Sequence, residues 1–159
     1  MRLSEGFDHP SPKNEVHLVV GVLALVLSGA AGLLGAWCWW RAETSRLFWI
    51  LLRAGQAVLV LDVALGGVLL LLGKKVSSLH ILYGVLPLLV SFLGEQLRVA
   101  SAEMVLSGRG LESAAEVGEL PEDEQHGIAL AILQRELGVM TIAAWVIVVL
   151  LVRAAGTAG

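Results

Sequence analysis

The chain has 159 residues, 57% of them apolar by type and 16% charged, with a net charge of −3 and a mean hydropathy of +0.80. That hydropathy lies far above the range of soluble domains and points to an integral membrane protein, while the acidic balance argues against nucleic acid as a partner. A single cysteine, Cys38, excludes an internal disulfide and CxxC redox chemistry, and no Walker A, HExxH, GxSxG or GxGxxG pattern occurs.

Residues 1–14 read as a polar tail kept irregular by "HPSP". Four charge-poor runs follow, at about 15–40, 47–73, 77–99 and 137–152. Each is near the ~20 residues that cross about 30 Å of hydrocarbon, and every backbone amide in lipid needs an internal partner, so helices are expected. The first run ends in Trp-Cys-Trp-Trp-Arg rather than a small-residue cleavage site, which is unlike a signal peptide. Short turns join runs one and two, and runs two and three ("GKKVS"). A polar segment, 100–136, should extend the third helix until Gly108 and Gly110 stop it; "LPEDEQ" then opens the fourth helix with Pro121 and acids in its first turn. Residues 154–159 form a C-terminal tail. The expected fold is all-α: an integral membrane four-helix up-down bundle over 15–153, with both termini on one side.

Arg2, Lys13, Lys74, Lys75 and Arg153 lie on the side of the termini, and Arg41, Arg46, Arg53, Arg98, Arg109 and Arg135 on the other. Several arginines of the second group have acids nearby, so the termini are expected on the cytoplasmic side, in a bacterial plasma membrane.

The third run carries more polar residues than lipid tolerates at random. Advancing about 100° per residue from His80 brings Tyr83, Gly84, Pro87, Ser91, Gly94, Glu95 and Arg98 onto one stripe, which must face the bundle interior or water. In the first run His17 shares a face with Gly21, Ala24, Ser28, Ala31, Gly32 and Gly35; small residues at this spacing also simply allow close helix packing. The two stripes align without a gap: "HLVVGVLALVLS" (17–28) lies over "HILYGVLPLLVS" (80–91), matching His, Gly and Ser. A tandem duplication of a helical hairpin is expected, with a pseudo-two-fold axis that sets His17 and His80 face to face at equal depth.

Facing imidazoles admit three readings: axial ligation of a haem iron, a bare metal ion with further ligands, or a polar core without cofactor. Under the first, His17 and His80 are the metal ligands, Gly21 and Gly84 leave room for a flat macrocycle, Tyr83 lies beside it, and Lys74 and Lys75 meet its acidic groups. On His17-x-x-x-Gly21 and His80-x-x-x-Gly84 the chain resembles the four-helix integral-membrane b-type cytochromes as a class. The resemblance is one of architecture, and it implies a haem b that carries electrons between a quinone-type carrier and a partner, in a homodimer or larger membrane complex. The alternative is a cofactor-free accessory subunit or small transporter whose polar stripe is packing or a substrate path.

Asp62, near the middle of the second run, is either a proton-relay residue or a hydrogen-bonded packing residue set against Ser28 or Ser91. Arg53, Gln56, Glu95, Arg98, Arg135 and Glu136 fall at similar depth near the other surface. They are expected to form a ring of ion pairs, with a pocket for a quinone head group or lipid phosphate as the sharper alternative. Trp37, Trp39, Trp40 and Trp49 mark the same interface. His126 is expected at the surface.

Overall fold

A computed structural model describes residues 12–157 of the protein. They form α1 (Pro12–Arg41), α2 (Arg46–Leu71), α3 (Ser78–Ser107), the single turn α4 (Ala114–Val117) and α5 (Glu122–Gly156), with no strand among the described residues. Of the polar tail, residues 1–11 lie outside the described residues, while 12–14 already belong to α1. Four of the helices, α1, α2, α3 and α5, are long and apolar enough to cross a membrane.

Local chemistry sets the ends. Ser45 and Ser77 cap α2 and α3, accepting from the amides of Phe48 and His80. Gly73 (φ 84°) and Gly110 (φ 73°) take the left-handed conformation that closes α2 and α3, with paired backbone bonds from Lys74 N to Leu69 O and from Leu111 N to Leu106 O. α1 ends in the same motif, but the left-handed position there is Ala42 (φ 55°), whose Cβ makes that conformation costly. Pro121 stands just before α5, and Glu122, Asp123 and Glu124 occupy its first turn, opposite the exposed amides. The expected fourth run thus becomes the last part of a 35-residue helix.

α5 is the innermost element. Half of its most apolar window is buried, against 17% of those of α2 and α3. It packs along α3 and α1, and α1 packs along α2, whereas α2 and α3 meet only briefly. One core cluster joins Ala31, Cys38, Phe48, Leu52, Leu137, Met140 and Ala144; a second joins Ala24, Leu59, Ile147 and Leu151. Close approach in the first cluster depends on Gly35: a Cβ there would run into Thr141 Oγ1 and lie 2.6 Å from the Phe48 ring. The outward faces are apolar, with Leu71, Trp40, Leu18 and Leu33 among the most exposed side chains.

Candidate functional site

Parts of four helices meet at one pole of the molecule: the start of α1, the last third of α2, the start of α3 and the end of α5. His17 sits in the second turn of α1. Its Nδ1 is 2.9 Å from Oδ1 of Asp62 on α2, within ion-pair distance, and neither atom makes a hydrogen bond among the described residues. Asp62 is buried. His80 sits in the first turn of α3, and its Nδ1 is 2.9 Å from the carbonyl oxygen of Ala154 on α5. Ser77 strengthens that junction by donating to the carbonyl of Thr157. The two imidazoles lie 6.3 Å apart between centroids and are nearly perpendicular, at 89°.

These contacts constrain the tautomers. A carbonyl oxygen only accepts, so the Nδ1 of His80 must carry the hydrogen, and a neutral His80 then bears its lone pair on Nε2. An ionised Asp62 imposes the same state on His17. Both rings are therefore oriented through Nδ1, as in sites where imidazole binds a metal through Nε2.

A cavity of about 570 Å³ opens beside the pair. His17, Asp62 and His80 line it together with Gly21, Gly66 and Gly84, and Lys74 and Lys75 complete it. Its volume falls in the range of small-molecule and cofactor sites. Among the described residues no group of three or more His, Cys, Asp or Glu is placed to hold a metal ion. The pole thus offers two imidazoles and an apolar hollow, not the fuller set of protein ligands that a tetrahedral zinc site uses.

The other polar positions sort into two groups. Asp62 meets His17 rather than Ser28 or Ser91. Ser28 instead packs beside Gly55, and Ser91 is buried on α3. A Cβ on Gly21 would touch the Asp62 carboxylate, whereas one on Gly84 would meet nothing within 4 Å. Tyr83 does not line the cavity; its ring lies under the Arg153 guanidinium, 5.9 Å from the centroid. At the opposite pole Arg53 forms a two-pronged pair with Glu95, at 2.6 and 3.1 Å. Gln56 donates to the same carboxylate at 2.9 Å, and Arg98 links it to Glu136. Arg98 also stacks over Trp49, 5.7 Å from its centroid. Arg135 is not part of this network: it lines a separate shallow hollow with Trp39 and Gly138. His126 is exposed.

Sequence reasoning did not assign the floor of the cavity to Gly66 and Gly67, although this adjacent glycine pair, four and five residues after Asp62, was the available signal. The Ala154 carbonyl carried no signal, being backbone. Comparison of the chain with protein-family models, with curated proteins and with solved structures returns no match. Fold and site define an all-α protein with four helices able to span a membrane and a two-histidine cavity at one pole.

Proposed function

We propose that this protein is a membrane-embedded b-type cytochrome that holds one haem b between His17 and His80 and passes electrons between a quinone-type carrier and a partner. Its helices form an up-down bundle in a bacterial plasma membrane, termini inside, derived from a duplicated hairpin that has since diverged at Gly21 and Gly84. The observation that carries the reading is that two imidazoles, each with Nδ1 2.9 Å from an acceptor oxygen, lie 6.3 Å apart beside one cavity. His17 and His80 are the residues that would hold the iron, their rings 6.3 Å apart between centroids. Asp62 and the Ala154 carbonyl orient the rings. The apolar walls exclude water, and Lys74 and Lys75 attract acidic groups.

A haem held by His17 and His80 would supply one-electron transfer rather than oxygen chemistry. The test is a spectrum. Protein purified in detergent from haem-replete cells should carry one haem per chain, with a Soret band and split low-spin bands after dithionite. His17→Ala and His80→Ala should each abolish that pattern. A colourless preparation with background iron rejects the reading.

A second reading, a small transporter, is favoured by one feature: the buried His17–Asp62 pair beside a cavity is suited to proton-linked transport. The same spectrum separates the two.

A further inference from the structure

The cavity is closed unevenly. In a bundle of two related hairpins, the contact of α1 with α5 should be matched by that of α3 with α2. Instead α1 packs along α5, and α2 barely touches α3. The cavity wall on this weak side is built from glycine. Gly66 runs beneath the His17 ring, where a Cβ would lie 3.4 Å from Cε1. Gly67 on α2 and Gly84 on α3 would each carry a Cβ into open space. Glycine in a helix interior costs roughly 0.5–1 kcal/mol relative to alanine, and here that cost produces no close helix contact in return. Lys74 and Lys75, in the turn between α2 and α3, line the same cavity, and neither forms an ion pair among the described residues.

We propose that the gap between α2 and α3 is a lateral portal through which a flat amphiphile slides from the bilayer into the cavity. Its apolar face passes Gly67 and Gly84, and its carboxylates stop at Lys74 and Lys75. The ligand class is a planar macrocycle with acidic groups on one edge. This rests on the cytochrome reading for the identity of the ligand, but not for the portal itself, because the wall and the lysines recognise the plate and its acids without a metal.

Metal-free protoporphyrin IX isolates that recognition. Offered in neutral phosphatidylcholine vesicles containing the full-length protein, it should bind with a fluorescence change that saturates at one per chain. Binding should survive Arg135→Gln, because Arg135 lines a separate hollow. It should fall at least 10-fold in Gly84→Leu and in Gly67→Leu; both replace a helical glycine where space is open, so both should fold, as circular dichroism checks. Lys74→Gln with Lys75→Gln should weaken binding several-fold at low salt and much less at high salt. Unchanged binding in both leucine variants, or no saturable binding to the natural protein, overturns the portal. Portal-dependent porphyrin binding without a low-spin haemin spectrum keeps the portal and rejects the cytochrome reading.

Discussion

The two poles of this protein are built from similar residues and arranged to opposite ends. At one, Arg53 and Arg98 meet Glu95 and Glu136, with Gln56 completing the network. Two positive and two negative charges cancel, and the carboxylate of Glu95 is engaged by three side chains. At the other pole, His17 and His80 each use one ring nitrogen on a neighbour and keep the other. Among the described residues Lys74 and Lys75 form no ion pair, and a cavity fills the middle. Polar groups that satisfy one another hold helices together; polar groups with capacity left over, arrayed around an empty volume, await a ligand. On the cytochrome reading, that difference gives the Glu95 pole a structural part and the His80 pole the binding part.

The comparison breaks most sharply at His80. His80→Ala should remove the low-spin haem spectrum altogether, while the cofactor-free protein loses only about 1 kcal/mol for the bond to Ala154, read by thermal unfolding in detergent. Glu95→Ala should do the reverse. It leaves Arg53 without its acid and Arg98 with Glu136 alone, costing about 1–2 kcal/mol, and protein that remains folded should take up haem as the natural protein does. If Glu95→Ala lost haem without losing stability, the division between poles would be wrong. Asp62→Asn is milder: the fold persists and haem affinity falls by about 10–100-fold, measured by haemin titration. The smallest effect belongs to Arg135→Gln. Since Arg135 stands outside the network, its loss should move the unfolding midpoint by no more than about 2 °C, and a larger shift would return it to the ring.

Much of this was legible in the sequence because lipid-scale hydropathy and helical periodicity are strong signals. The four long helices, the stop at Gly108, the acidic start of α5 and the approach of His17 to His80 all follow from them. Arg135 was misjudged because similar depth does not imply a shared face, and it points away from Glu136's partners. Asp62 was matched to the wrong neighbours for a related reason: its partner depends on how α2 rotates against α1, which the spacing within α2 does not fix. The unequal packing of α1 on α5 and α2 on α3 lay out of reach. The aligned stripes imply equality, and the departure arises from side-chain volumes summed across all the helices.

The most buried helix is also the last of the described helices to be made. Synthesis runs from the N-terminus at about 5–20 residues per second, so α1, α2 and α3 are present before α5. Until α5 is in place, His80 lacks the Ala154 carbonyl that orients it, and both core clusters lack residues that α5 supplies. The early chain then holds one histidine already steered by Asp62 and one still free to turn. On the cytochrome reading, the site would be complete only once α5 has joined the other helices, so haem uptake would follow the insertion of α5.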